Sequence, residues 1–275
     1  MNLYFAAAVI VGVTAVVLTM VFFLRRIFPV GGIFTDSDRA AGIFGVLGTS
    51  FAVLLAFVIF LSFETFGNAK QAASVEAVAV QELYRDAQLF APEEREQLEG
   101  QLICYARAVI DDGWRAMREQ QRTSRLVDEW VLRLEVTSNR VDLSDPQSAV
   151  GYEQWNTQSS ERRDGRRARV AEATPFVPPP LWYALLLGAV LLLTYGCLYA
   201  DRGERFWVQA IAIGSLTVIV TAGMLTVRFF DLPYQDEPGS IRPIEMQRTL
   251  ERLEELRGQE FGDVIVPCDE QGRPV

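Results

Sequence analysis

The chain has 275 residues, half of them apolar, and a formal net charge of −9 with no histidine. Without histidine, a His-ligated zinc site, a His general base and a Ser-His-Asp triad are all excluded. The charged segments 64–174 and 231–275 each hold more acids than bases, so there is no basic stripe of the kind that binds nucleic acid.

Four apolar runs are long enough to span a bilayer: 3–24, 41–63, 181–200 and 207–230. The single charge within them is Arg228, at the end of the last run. The expected fold class is therefore an all-α membrane protein with four transmembrane helices. The first run has no basic residue before it and exceeds the apolar core of a signal peptide, so it reads as a span. Arg25 and Arg26 mark its exit, and Pro29, Gly31 and Gly32 break the loop that follows.

The second run is the organising element. It passes from 41–63 into 64–89 without a proline or turn cluster, which predicts one helix of about 49 residues, ~73 Å long at ~1.5 Å per residue. Only ~30 Å of that fits in hydrocarbon, so the second span extends into a juxtamembrane helical bundle inserted between spans 2 and 3. Small residues are arranged along it. Gly48, Ala52 and Ala56 recur every four positions, with Ala41, Gly45 and Thr49 in a second row. Such rows let helix backbones approach closely in lipid. Two readings stand for the Gly48/Ala52/Ala56 face: self-association around a bundle axis, or packing against the first and third spans.

Beyond residue 63 the helix remains apolar enough to need covering. Leu98, Leu102, Tyr105 and Val109 in one segment, and Leu126, Trp130 and Leu134 in the next, fall at helical spacing and supply that cover. Ser144 or Asp145 is placed to cap a further helix with Pro146 in its first turn. That helix carries Arg162, Arg163, Arg166, Arg167 and Arg169 shortly before the membrane is re-entered. These five arginines are expected to meet anionic lipid heads, with acids of neighbouring helices as the other partner. After the fourth span come a turn-rich stretch, a short charged helix and an end, 264–275, expected to be mobile.

The domain layout is thus 1–63 (spans 1 and 2), 64–180 (soluble helical domain), 181–230 (spans 3 and 4) and 231–275 (acidic tail). Cys104, Cys197 and Cys268 are odd in number and lack a CxxC pair, so no disulfide framework is evident. Five arginines lie on the two short loops, namely Arg25, Arg26, Arg39, Arg202 and Arg205. On the other side lie eight bases near span ends: Lys70, the five of 162–169, Arg228 and Arg242. That count favours a cytoplasmic soluble domain. Glu64, Glu76 and Glu82 read as surface or salt-bridge groups rather than catalytic carboxylates. No enzyme activity, cofactor or metal is expected.

The order Leu47-Gly48, Phe51-Ala52, Leu54-Leu55-Ala56-Phe57, Ser62-Phe63-Glu64 and Ala69-Lys70 resembles the second span of bacterial bestrophins. Over its whole length the chain is similar to the bacterial bestrophin-like membrane proteins through Glu76-Ala77, Leu83-Tyr84-Arg85, Tyr105, Trp114, Arg163 to Arg167, Leu181-Trp182 and the Pro233 region. The resemblance implies a pentameric anion channel lined by the second span, with Ala41, Gly45 and Thr49 at the neck. Two departures accompany it. These three residues are small where bestrophins are bulky, and Val58–Ile59 stand where bestrophins carry a polar pair. Glu64 would form a carboxylate ring at the pore mouth. The reading from a different class is a non-conducting scaffold, whose helical domain and acidic tail bind a cytoplasmic protein. Membrane lipid and further copies of the chain are the other expected partners.

Overall fold

The structure is a computed structural model that describes residues 3–262 and 265–275. Its helices are α1 (Leu3–Ile27), α2 (Ser37–Ala87), α3 (Pro92–Ala108), α4 (Trp114–Gln120), α5 (Arg125–Ser138), α6 (Pro146–Ala171), α7 (Pro179–Leu198), α8 (Phe206–Asp231) and α9 (Ile244–Phe261), with a π turn at Val109–Gly113 between α3 and α4. The chain divides into two units. Unit 1 is Met1–Thr65 with Pro175–Leu232, and unit 2 is Phe66–Thr174 with Pro233–Val275. Helix α2 contributes its first part to one and its second to the other.

Among the described residues four helices are long and apolar enough to cross a membrane, α1, α2, α7 and α8, and unit 1 holds three of them with the first part of α2. In hydrocarbon every backbone polar group must be satisfied within the chain, and an uninterrupted helix does this. Prolines occupy only the start of α7, where no intrahelical donor is lost. Val17 and Val21 of α1 pack with Cys197, Ala200 and Ile213 of the α7 and α8 region. Phe51, Leu55 and Val58 of α2 pack with Leu185, Ala189 and Leu192 of α7 and Val220 and Val227 of α8. Two glycines make room for this. A Cβ on Gly188 would lie 2.7 Å from Phe51, and one on Gly223 2.6 Å from Leu55.

The two short loops of unit 1 are tied together. Asp201 Oδ1 accepts from Gly31 N at 2.9 Å and Gly203 N at 2.8 Å. Arg25 donates to Gln209 Oε1 at 2.7 Å and to the Glu204 carbonyl at 2.6 Å. At the opposite end the buried Asp231 carboxylate accepts from Val177 N at 2.8 Å.

Unit 2 is a helical bundle around Leu83, Leu98, Leu102, Ile103, Trp130 and Leu134. The caps follow from local chemistry. Ser124 accepts from Val127 N to open α5, and Asp145, with Pro146 behind it, accepts from Ser148 N to open α6. The segment predicted as one helix beyond Pro92 is interrupted by the π turn, whose extra residue offsets α4 from α3. Trp114 and Met117 are thereby turned inward, and Trp114 Nε1 donates to the Ile241 carbonyl at 3.2 Å.

The end of the chain differs from expectation. Val264 lies outside the described residues, but 265–275 is fixed on α3 and α5. Cys268 is disulfide-bonded to Cys104 across 164 positions of sequence. Trp130 Nε1 donates to the Gly272 carbonyl at 2.6 Å. Gly272, at φ +76°, approaches so closely that a Cβ would lie 2.5 Å from Ala108 N.

Candidate functional site

In unit 1 the candidate face of α2 is the one that the core leaves uncovered. Phe51, Leu55, Val58 and Ser62 are buried, and the opposite side of the helix is exposed. At ~100° per residue, steps of four advance about 40° beyond a full turn. The row Ala41, Gly45, Thr49 therefore winds around α2 instead of following its axis. All three are exposed in the chain. The stripe opposite the core runs through Val46, Thr49, Val53, Phe57, Phe60 and Glu64, within a sector of about 80°. Val53, Phe57 and Phe60 are 65%, 59% and 63% exposed. The sequence reading missed these three, although its own row of fours runs on from Thr49 to Val53 and Phe57, and a step of three then reaches Phe60.

Of the Gly48/Ala52/Ala56 face, Gly48 sits beside Leu192, with its Cβ position 3.8 Å from Cδ1. Ala52 and Ala56 are exposed. Within the chain α2 packs by large residues set into glycines of α7 and α8, not by its own small row.

In unit 2 the second part of α2 carries a buried ion pair. Glu76, 0% exposed, accepts from Arg169 Nε at 2.5 Å and Nη2 at 2.9 Å, and from the Tyr105 hydroxyl at 2.5 Å. Gly165 lets α6 approach near enough for this. A Cβ there would lie 2.7 Å from Glu76 N and 3.2 Å from the Ala72 carbonyl. Burial alone would lower the Arg169 pKa, yet the Glu76 carboxylate holds it above its ordinary value. Tyr105 is pushed up by burial and by the negative charge of Glu76. Arg169 also stacks on Trp114, with its guanidinium carbon 4.8 Å from the ring centroid.

This geometry corrects the lipid-contact expectation for part of the arginine cluster. Arg162 and Arg169 are each 1% exposed, inside unit 2 and out of reach of lipid heads. Arg162 lies over the Tyr105 ring at 5.0 Å. Arg166 pairs with Asp128 at 2.5 Å and Arg163 approaches Glu135 at 3.8 Å, while Arg167 is exposed beside Asp164. A guanidinium packed against aromatic rings and carboxylates is desolvated by the protein itself, so a cluster in sequence need not be a patch on the surface. Glu82 pairs with Arg85 at 2.9 Å, and Glu64 stands exposed. Among the described residues no group of His, Cys, Asp and Glu is arranged to hold a metal ion.

Most of the chain, from within α1 to the stretch after α8, matches a family model. The bestrophin-like domain matches residues 11–239. The chain belongs to the bestrophin-like family. Its fold is that of solved bacterial bestrophin homologues. Two singly substituted forms of one from Klebsiella pneumoniae align at 15% and 13% identity. Their TM-scores are 0.71 and 0.70, and they cover 91% and 93% of this chain and 99% of each of theirs. A crystal structure described only as a membrane protein aligns at 14% identity and a TM-score of 0.67, covering 94% of this chain and 99% of its own. At such identities the likeness concerns the fold. No curated protein matches the sequence. As a bestrophin-like protein it is a multi-pass membrane protein, and the exposed stripe of α2 lies within the matched domain.

Proposed function

We propose that the chain is the subunit of a homo-oligomeric ion channel, pentameric by family likeness, whose pore is lined by the exposed stripe of α2. The observation that carries this is the two-sidedness of the helix in unit 1. One side sets Phe51 and Leu55 into glycines, and the other leaves Thr49, Val53, Phe57, Phe60 and Glu64 exposed. Gly45, Ala52 and Ala56 flank that stripe and suit close approach by a neighbouring copy. The neck assigned by resemblance to Ala41, Gly45 and Thr49 then continues to Val53 and Phe57. These supply the apolar bulk that the three small residues lack, and an apolar constriction gates by dewetting. Glu64 forms a ring of carboxylates at one mouth. Acid rings favour cations, which opposes the anion selectivity of bestrophins and makes Glu64 the residue to change first. Lipid surrounds the spans.

A second reading is a non-conducting scaffold. It is favoured by Leu132 and Val136, one turn apart on α5 and both exposed, as a seat for a partner protein. Purified protein reconstituted in planar bilayers separates the two. The channel reading expects a closed ring by mass, current blocked by Thr49→Trp, larger current in Phe57→Ala, and permeability shifted toward anions by Glu64→Gln. Protein that passes no ion in any salt or at any voltage gives way to the scaffold reading. Conduction untouched by Thr49→Trp and Phe57→Ala retains the channel and removes this lining.

A further inference from the structure

Cys104 and Cys268 form a disulfide inside the core of unit 2, where they are 0% and 5% exposed. The surroundings are built to it. Trp130 holds the Gly272 carbonyl, Arg107 donates to the Asp269 carbonyl at 3.2 Å, and an antiparallel bridge joins Cys268 to Pro274. Gly272 takes a left-handed conformation against Ala108 where no side chain fits. Structural disulfides of this kind persist in oxidising compartments and are rare in the cytosol.

Charge agrees once it is counted where it acts. The loops between α1 and α2 and between α7 and α8 lie at one end of unit 1, joined through Asp201 and Arg25. They carry or adjoin Arg25, Arg26, Arg39, Arg202 and Arg205. Basic residues hold a segment in the cytoplasm when the loop is short, up to roughly 60 residues. The segment Phe66–Thr174 of unit 2 is well beyond that. Of its arginines nearest the re-entry into the membrane, Arg162 and Arg169 are buried and Arg166 is held by Asp128. With those three set aside, five of the eight bases behind the cytoplasmic count remain, Lys70, Arg163, Arg167, Arg228 and Arg242, no more than the five on the short loops.

We infer that unit 2 faces the extracytoplasmic, oxidising side of the membrane and that the two arginine-bearing loops face the cytoplasm. The bond arises there by thiol–disulfide exchange. The two cysteine thiols give up two protons and two electrons to form the S–S bond, and a disulfide-bearing oxidant of the envelope is reduced to its dithiol. Whatever binds unit 2 then reaches it from outside the cell.

The test uses the full-length chain in spheroplasts of a bacterial host. Two single variants are labelled with a membrane-impermeant maleimide: Thr123→Cys in the exposed turn before α5, and Val30→Cys in the exposed loop after α1. The wild type contributes no background, since Cys197 is buried and the other two are bonded. Thr123→Cys is expected to react on intact spheroplasts, and Val30→Cys only after permeabilisation. Wild-type protein trapped in acid and alkylated without reductant is expected to yield one linked peptide joining Cys104 and Cys268. Protection of Thr123→Cys until permeabilisation, or a free Cys104 thiol in the acid-trapped wild type, overturns the inference.

Discussion

Arg169 grips Glu76 as a fork, with Nε on one carboxylate oxygen and Nη2 on the other, and both residues are sealed from solvent. Each charge is tolerable there because of its partner. Glu76→Gln leaves a buried guanidinium uncompensated, and removal of one partner from such a pair costs about 3–5 kcal/mol. Paired replacement, Glu76→Met with Arg169→Met, is expected to cost less than either single change. Tyr105→Phe is expected to cost about 1.5–3 kcal/mol, the worth of a hydrogen bond to a charged group. Thermal unfolding in detergent of these variants, with Glu76→Met and Arg169→Met as the singles, checks the order; a double variant less stable than both singles would refute the pairing.

Asp86, near the end of α2, is buried, and its pKa is pushed up to about 6 by burial and by the charge of Glu82. Its unfolded value is near 3.8, so the folded state binds the proton more tightly. The stability linked to this group is fully present below about pH 4 and is lost as pH rises through about 6. Asp86→Asn is expected to gain on the order of 2 kcal/mol relative to wild type at pH 7–8. The gain fades toward pH 4. Melting curves at pH 4, 5, 6 and 7.5 decide it, and a difference that does not vary with pH excludes Asp86 as the source.

Ala52→Leu tests the small row of α2. If a neighbouring copy packs there, the added side chain overpacks the contact at about 1–3 kcal/mol per subunit, and the assembly shrinks or dissociates in size-exclusion profiles. Leu54→Ala, a partly buried position on another side of the helix, serves as the milder control. An Ala52→Leu protein of unchanged size would leave no role for this row in assembly.

The disulfide predicts a reductant-sensitive stability. Cross-links that close long loops typically contribute about 2–5 kcal/mol. Dithiothreitol is expected to lower the melting temperature of the wild type and leave Cys104→Ser/Cys268→Ser, already lowered, where it was. Equal sensitivity in both would place the effect elsewhere.

The four spans and the unbroken course of α2 were legible because each is written in consecutive residues: an apolar run, then helix formers without a breaker. Pro146, with Ser144 or Asp145 before it, announced the start of α6 for the same reason, and the cap is Asp145. What was not legible depends on distant partners. Glu76 and Arg169 are 93 positions apart, and nothing near either marks it as buried. Arg162 and Arg169 read as a membrane-facing cluster because a sequence displays charge density but not which way a helix turns its face. The face of α2 was partly legible: the row of fours through Thr49 runs on to Val53 and Phe57, but its earlier members, Ala41 and Gly45, lie off the stripe opposite the core. The tail looked mobile because Cys268 finds its partner across the whole of unit 2.

The π turn at Val109–Gly113 works as a phase shifter. Ahead of it, Tyr105 and Val109 point into the bundle on one helical phase; behind it, Trp114 and Met117 point inward on another. One inserted residue, about 100° of rotation, reconciles the two. Deleting a single residue there would keep the helix continuous and the composition nearly unchanged. It would also swing Trp114 off the Arg169 guanidinium and Met117 out toward water. Descendants of this chain are thus freer to exchange side chains along 109–113 than to change its length: spacing, more than identity, is what that stretch transmits.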